Sequence, residues 1–427
     1  MTGNAQVIVA VAIFLATYAI MISEKIHRTI IAGVGAALML ILGIENFTEA
    51  VDAIDFNAIG LLIGMMVIVG LTRESGIFGF VAVSIAKLGR GRPMFIMIAL
   101  SVMIAVVGGF IDNVTMILLL VPISISIARK LKINPVPIVF SQIMLSNIGC
   151  AATLIGDPPN IMIGGAAGFG FNDFVINMAP VLLVIAVIVL LLLYLMFRKQ
   201  LIVKDEYRRQ IMELDPKDEL KDVPLAKKSI IVMIITIIGF VMHQTLHLES
   251  ATVALAGAAL LLIVVRPNPE HALRNVEWGV IFFFLGLFVL VGGIEKAGVL
   301  EAAARKTIEL TGGELLPTGM ALLWVGSIAS AFVDNIPFTA TMIPLIQNIG
   351  SMGNFASMDP LWWSFALGAC LGGNGTIIAS SANVVAIGLL EEQGYKISFL
   401  KFMKWGFPLM ILSIGISSVY LYFFYLT

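Results

Sequence analysis

One stretch occurs twice in this chain, each time within apolar sequence: FIDNVTMILLLVP (Phe110 to Pro122) and FVDNIPFTATMIP (Phe332 to Pro344). The numbering offset from Asp112 to Asp334 is 222, and the same offset relates Asn113 to Asn335 and Pro122 to Pro344. A carboxylate at the centre of a membrane helix costs roughly 2.5 to 3.5 kcal/mol even on the lenient insertion scale, so two of them in matching frames require a reason. The pattern points to an ion or substrate site assembled from two repeats.

Composition sets the class. Of 427 residues, 59% are hydrophobic and 12% charged, with a mean hydropathy of +1.02, whereas soluble domains carry about 25% charged residues. The expectation is a polytopic membrane protein whose main partner is the lipid bilayer. A net charge of −1 argues against nucleic acid. The two cysteines, Cys150 and Cys370, lie in apolar segments and form neither a disulfide framework nor a metal-binding spacing. No resident cofactor is expected. Gln6 to Ile22 lacks a basic flank before it and a small-residue cleavage site after it, so it is read as a retained first span.

The repeat extends beyond the opening motif. At the offset of 222, Ala32, Gly35, Ala36, Ala37 and Leu38 fall on Ala254, Gly257, Ala258, Ala259 and Leu260. Asp55, Phe56, Gly64, Gly70 and Gly76 fall on Glu277, Trp278, Gly286, Gly292 and Gly298. After a one-residue slip, GCAATLIGDPPN (Gly149 to Asn160) aligns with GGNGTIIASSAN (Gly372 to Asn383), pairing Thr153 with Thr376 and Asn160 with Asn383. The chain therefore divides into a first repeat (1–200), a polar linker (201–228) read as a solvated loop or surface helix, and a second repeat (229–427).

A span needs about 20 mostly apolar residues. In the first half these fall near 6–22, 29–44, 56–72, 136–168 and 174–197, with an amphipathic stretch at Ile77 to Leu88. Two apolar arms, Phe95 to Phe110 and Val114 to Ala128, meet at Asp112. If these arms form a hairpin returning to its starting side, all of the 26 Lys and Arg residues except Lys296, Arg305 and Lys306 face one compartment. By the positive-inside rule the linker is then cytoplasmic and both termini lie outside. Each repeat has five spans plus one re-entrant hairpin, and because five is odd the second repeat is inverted. The predicted fold is an all-α bundle of two inverted repeats with broken helices at the site.

Irregular backbone survives at membrane depth only where it is buried in protein or lines a cavity. Each repeat offers a hairpin tip (Asp112-Asn113 or Asp334-Asn335) and a helix break. The breaks are Gly156-Asp157-Pro158-Pro159-Asn160 and Gly372 to Thr376 running on to Ser380-Ser381. Prolines stop the helix, glycines let the chain turn, and the exposed half-helix ends direct dipoles at the midplane. The candidate site comprises Asp112, Asn113, Thr153, Asp157, Asn160, Asp334, Asn335, Asn374, Thr376, Ser380, Ser381 and Asn383. Asp112, Asn113, Asp334 and Asn335 are the candidate Na⁺ ligands, since hard cations prefer carboxylate and amide oxygens.

Structural roles compete with this assignment. Each aspartate is also suited to cap a helix, Asp157 with Pro158 in the first turn, and Asn113 and Asn335 to bridge helices. Thr115 and Thr339 are out of register and are read as satisfied within their own helices. His243 and His247, at i, i+4 spacing near a helix end, are read as interfacial, since no metalloprotease Glu follows the first. Cys150 and Cys370 flank the breaks but are out of repeat register.

The strings DNVTMILLLVP, NIGCAATLIGDPPN and LGACLGGNGTIIASSANVVAIGLLEEQGYKISFLKFMKWGFP resemble the P protein branch of the ArsB/NhaD permeases, within the wider ion-transporter superfamily. That resemblance spans nearly the whole chain. It implies a homodimer of inverted-repeat protomers, each with a scaffold and an elevator-like transport region whose site lies at the tips and breaks. More distant symporters of the superfamily carry Ser-Asn-Thr at the tips, where this chain has Asp112-Asn113-Val114 and Asp334-Asn335-Ile336. The expected activity is secondary transport of a small inorganic ion or anion, coupled to Na⁺ or H⁺. Na⁺/H⁺ antiport, arsenite or antimonite efflux and carboxylate transport are the alternatives. An intramembrane aspartyl protease is disfavoured because neither tip aspartate lies in a Gly-x-Gly-Asp context, and a channel because no charge ring lines a pore.

Overall fold

The computed structural model describes residues 3–22 and 25–426, all of them helix, turn or loop with no strand. Residues 1, 2 and 427, whose side of the membrane the charge pattern assigns, lie outside the described residues. The first half contains α1 (Gly3–Ile22), α2 (Arg28–Ile41), α3 (Phe47–Asp52), α4 (Phe56–Glu74), α5 (Ile77–Leu88), α6 (Pro93–Gly108), α7 (Asn113–Lys130), α8 (Val136–Cys150), α9 (Pro158–Ala167), α10 (Phe171–Asn177) and α11 (Ala179–Phe197). A short α12 (Asp205–Met212) and a 3-10 turn (Pro216–Glu219) occupy the linker. The second half contains α13 (Val223–Met242), α14 (Ser250–Val265), α15 (Pro269–Arg274), α16 (Trp278–Lys296), α17 (Val299–Thr311), α18 (Leu315–Ser330), α19 (Asn335–Met352), α20 (Asp359–Gly372), α21 (Ser381–Glu392) and α22 (Phe399–Phe424).

The sequence offset is written into the helix boundaries. Helices α4 and α16 begin at Phe56 and Trp278, again at the offset of 222, and the same offset relates the starts of α3 and α15, α6 and α18, and α7 and α19. Beyond the breaks, α9 and α21 begin at Pro158 and Ser381, at the slipped offset of 223. By length and composition α4, α7, α11, α13, α16 and α22 are sufficient to cross a membrane.

The two halves are interwoven rather than side by side. Helix α4 packs on α14, and α16 packs on α2. Both crossings are set by a glycine. A Cβ on Gly64 would stand 2.5 Å from the backbone of Ala254, and one on Gly286 would stand 2.8 Å from that of Ala32. Gly64 corresponds to Gly286, and Ala32 to Ala254, at the repeat offset. Within each half the hairpin uses the same device: Gly149 of α8 lies against Ala105 of α6, and Gly372 of α20 against Ser327 of α18. Small residues let helix backbones approach where lipid supplies no hydrophobic drive between them.

Two boundaries differ from the hydropathy expectation. The apolar run 174–197 is not one helix, because α10 ends at Asn177 and α11 starts at Ala179 with Pro180 in its first turn, and proline cannot donate to a preceding turn. The linker is shorter than its charge suggests. Asp222 accepts from the Leu225 amide at 2.8 Å and Pro224 sits in the first turn, so α13 is already helical across Lys227 and Lys228.

The linker closes over one end of the helices. Lys87 Nζ donates to the Leu214 carbonyl at 2.6 Å, and the Lys221 amide to the Ser75 carbonyl at 3.0 Å. At the other end Lys296 pairs with Glu49 at 2.5 Å, and Gln244 donates to Asp173 at 2.6 Å.

Candidate functional site

The tips come first, because their roles differ. Asp112 is the N-cap of α7: Oδ1 accepts from the Val114 amide at 3.0 Å, and Oδ2 from the Thr115 amide at 3.1 Å and from the Thr115 hydroxyl. Both carboxylate oxygens serve its own helix start. Asp334 caps α19 with Oδ1 alone, accepting from the Ile336 amide at 3.0 Å. Its Oδ2 accepts from Ser381 Oγ at 2.9 Å and from Arg28 Nη1 at 3.2 Å. Equivalent in sequence, the two acids are not equivalent in chemistry.

The asparagines beside them reach deeper. Asn113 Nδ2 points to Cys150 Sγ at 3.6 Å, and Asn335 Nδ2 to Asp157 Oδ2 at 3.5 Å. Asp157 occupies the N-cap position of α9 with Pro158 next to it, but its side chain makes no capping bond. It is 2% exposed, and the thiols of Cys150 and Cys370 lie beside it. No salt bridge joins it to a base among the described residues.

Both breaks are held by one repeated lattice. Asn160 Nδ2 donates to the carbonyls of Ala151 and Thr153 at 3.1 and 2.9 Å, and Asn383 Nδ2 to those of Gly373 and Thr376 at 2.7 and 2.9 Å. Thr153 Oγ1 donates to the Gly109 carbonyl and Thr376 Oγ1 to the Ala331 carbonyl, tying each break to its own hairpin. The asparagines thus supply donors to carbonyls that the interrupted helices leave open.

Between the breaks sits a residue absent from the sequence-based site. Asn147 Nδ2 donates to both Asn374 Oδ1 and Asn383 Oδ1 at 3.0 Å, and its Oδ1 accepts from Ser380 Oγ at 3.3 Å. Asn374 Nδ2 returns a bond to the Met144 carbonyl at 3.3 Å. The sequence carries a signal for Asn147: at the offset of 223 it pairs with Cys370, which donates to Asn160 Oδ1 at 3.3 Å. Cys370 therefore has a polar repeat mate.

Of the predicted site residues, Asn113, Asp157, Asn160, Asn335, Asn374, Thr376, Ser380, Asn383 and Thr153 lie at the buried junction of tips and breaks. Asp334 and Ser381 instead face a cavity of about 310 Å³ with Arg28, Tyr18 and Phe283. Tyr18 Oη bonds the Pro337 carbonyl and Thr341 Oγ1, each at 2.7 Å, fastening α1 to α19. Thr339 departs from expectation: its buried hydroxyl has no hydrogen-bond partner among the described residues. His243, at the C-terminal end of α13, is buried and bonds the Phe240 carbonyl at 2.7 Å. Among the described residues no three His, Cys, Asp or Glu side chains cluster as a metal site.

Residues 18–368 match the profile of the family described as CitMHS, citrate transporter. The chain is 37% identical to a 46 kDa membrane protein of Mycobacterium leprae, over 98% of this chain and 99% of that one. It is also 37% identical to an uncharacterized transporter of Mycobacterium tuberculosis, over 98% of both chains. Human P protein is 32% identical over 97% of this chain, which spans 60% of P protein's length. In fold, the crystal structure of the Alcanivorax borkumensis YdaH transporter, whose topology is described as unusual, superposes with a TM-score of 0.59 over 97% of both chains at 13% identity. The family profile is that of a transporter, and the mycobacterial relatives are named a membrane protein and a transporter. With more than four-fifths of its length matched by that profile, this integral membrane protein belongs to the CitMHS citrate transporter family.

Proposed function

We propose that this transporter is a secondary carrier of a small inorganic ion or anion, driven by Na⁺ or H⁺ through an elevator-type alternating-access cycle. The observation that carries this reading is Asp157. A carboxylate 2% exposed at the junction of both repeats, with no basic partner among the described residues, bears a desolvation cost of several kcal/mol unless a cation or proton neutralises it. The side-chain amides of Asn113 and Asn335 lie beside it, and turned about they would offer Na⁺ the hard oxygen donors it prefers. Asp157 is matched by Ser380 in the other repeat, so the duplicated site holds one buried acid and not two.

In this reading the hairpins α6–α7 and α18–α19 enter from opposite faces, the linker is cytoplasmic, both ends of the chain are outside in the cytoplasmic membrane, and protomers pair as homodimers. The ArsB/NhaD-like character rests on the likeness to P protein. Arg28 at the cavity beside Asp334 favours carboxylate transport as the second reading, in line with the family.

Proteoliposome uptake with a panel of ions and carboxylates, driven in turn by Na⁺ and pH gradients, tests the proposal. Gradient-driven accumulation in wild type and its loss in Asp157→Asn is the expected result. Movement of a solute down its own gradient, indifferent to Na⁺, pH and Asp157, would mark a pore.

A further inference from the structure

Two polar contacts fasten the second hairpin to the start of the chain. Arg28, in the first turn of α2, donates through Nη1 to Asp334 Oδ2 at 3.2 Å and to Ser381 Oγ at 2.6 Å. Ser381 Oγ donates on to Asp334 Oδ2 at 2.9 Å, so one guanidinium closes a triangle with the hairpin tip and the start of α21. The ring of Phe283 on α16 lies 5.1 Å from the guanidinium carbon and steadies its plane. From α1, Tyr18 Oη bonds the Pro337 carbonyl and Thr341 Oγ1 of α19, each at 2.7 Å.

The repeat provides neither contact for the first hairpin. At the offset of 222, Tyr18 falls on Phe240, His27 on Glu249 and Arg28 on Ser250, while Thr341 falls back on Leu119. A hydroxyl and a guanidinium on one side are thus replaced by a hydrocarbon ring and a neutral serine on the other. Asp112, the mate of Asp334, gives both its oxygens to the first turn of its own helix. The surroundings nevertheless match. The cavity of about 310 Å³ beside Arg28 has a counterpart of about 290 Å³. Leu248, Glu249 and Ser250 line the second cavity where Ile26, His27 and Arg28 line the first, and Ile161 lines it where Val384 lines the first at the slipped offset of 223.

We infer that Tyr18 and Arg28 form a one-sided latch on the second hairpin, which sets the ratio of the two access states of the carrier. The inference rests on the alternating-access reading. Inverted repeats exchange conformations between those states, each half adopting the arrangement the other has left. In the exchanged state the first hairpin would meet Phe240, Ser250 and Glu249. These residues supply no hydroxyl for its backbone at the place of Tyr18 and no cation for Asp112, and they set the Glu249 carboxylate near a second acid. The latch therefore exists in one state only, and a contact made in one state only shifts the populations by its full differential strength. Arg28 and Asp334 are about a quarter to a third exposed, so water screens the pair in part. A shift of about tenfold is what such charge-assisted bonds supply.

Reciprocal labelling tests the latch. Val384→Cys and, separately, its repeat mate Ile161→Cys are introduced into the full-length protein with both native cysteines replaced by serine, and their rates of reaction with N-ethylmaleimide are compared in proteoliposomes. Arg28→Gln is expected to slow the Val384→Cys reporter and speed the Ile161→Cys reporter, moving the ratio of rates about tenfold. Tyr18→Phe, which installs the residue of the other repeat, is expected to move the ratio in the same direction, and Arg28→Lys to move it less than Arg28→Gln. Asp334→Asn is expected to match Arg28→Gln, and the double variant to add nothing to either. A change confined to the Val384→Cys reporter is a local effect of the lost side chain and overturns the latch. A ratio that Na⁺ or pH moves in the unlatched and parent proteins alike, with no difference between them, also overturns it and leaves alternating access standing. Reporters that never move in opposite directions, under any ion condition or in any variant, sink the alternating-access reading itself.

Discussion

Asn147 of the first half donates its amide to Asn383 Oδ1 of the second at 3.0 Å. The reciprocal contact runs from Cys370, the repeat mate of Asn147, to Asn160 Oδ1 at 3.3 Å. Each break asparagine thus steadies its own broken helix through Nδ2 and is held by the opposite half through Oδ1. Asparagine and cysteine differ in what this contact is worth. Asn147→Ala is expected to leave buried oxygens of Asn374 and Asn383 unpaired at about 1 to 3 kcal/mol each, a clear drop in melting temperature in detergent. Cys370→Ser is expected to be mild, because a hydroxyl replaces a weak thiol donor.

The tip aspartates are expected to respond differently to amide substitution. Asp112→Asn keeps one capping oxygen and loses the acceptor that serves Thr115, a stability cost of about 0.5 to 1.5 kcal/mol. Asp334→Asn retains the cap through Oδ1 but deprives Arg28 of its ion partner, so it is expected to alter substrate affinity more than folding. Uptake kinetics alongside melting curves separate the two. Equal behaviour in both assays would show that the Arg28 contact is idle.

Helix crossing at Gly64 and Gly286 gives a packing prediction. Valine at either position meets backbone closer than van der Waals contact allows, and overpacking typically costs about 1 to 3 kcal/mol. Both variants are expected to lose yield and melting temperature to a similar degree, whereas Gly108→Ala, whose Cβ meets nothing within 4 Å, is expected to be neutral.

Glu45, in the loop between α2 and α3, gives a pH signature. Burial pushes its carboxyl up to about 7, Glu49 pushes in the same direction and Lys296 opposes them. The folded state therefore holds a proton that the unfolded chain releases near 4.5, so stability is expected to fall as pH rises between about 4.5 and 7 and then level off. Glu45→Gln is expected to flatten that slope in thermal melts across this range. An unchanged slope would assign the titration to another group.

A cysteine placed at Lys217 tests sidedness. With the linker cytoplasmic, an impermeant thiol reagent applied to intact cells is expected to leave it unlabelled, and strong labelling would reverse the orientation derived from the basic residues.

Much of this molecule follows from the order of residues alone. Apolar runs dictate spans, Pro158-Pro159 and the glycine run from Gly372 dictate breaks, and a shared offset of 222 relates the two halves, because these are local or periodic constraints that the bilayer enforces on any chain. The sites of helix capping are equally legible in Asp112 and Asp334. What required the tertiary structure was the partner of each polar group. Asp157 looks like a cap in sequence and is a buried acid without a basic partner among the described residues. Arg28 looks like a topological charge and reaches a hairpin tip 306 residues away. Asn147 sits in an unremarked apolar helix of the first half and holds the break of the second. Such contacts arise where one half packs on the other, α9 against α19 and α20 and α8 against α20 and α21, and no period in the sequence encodes which side chains that packing brings together.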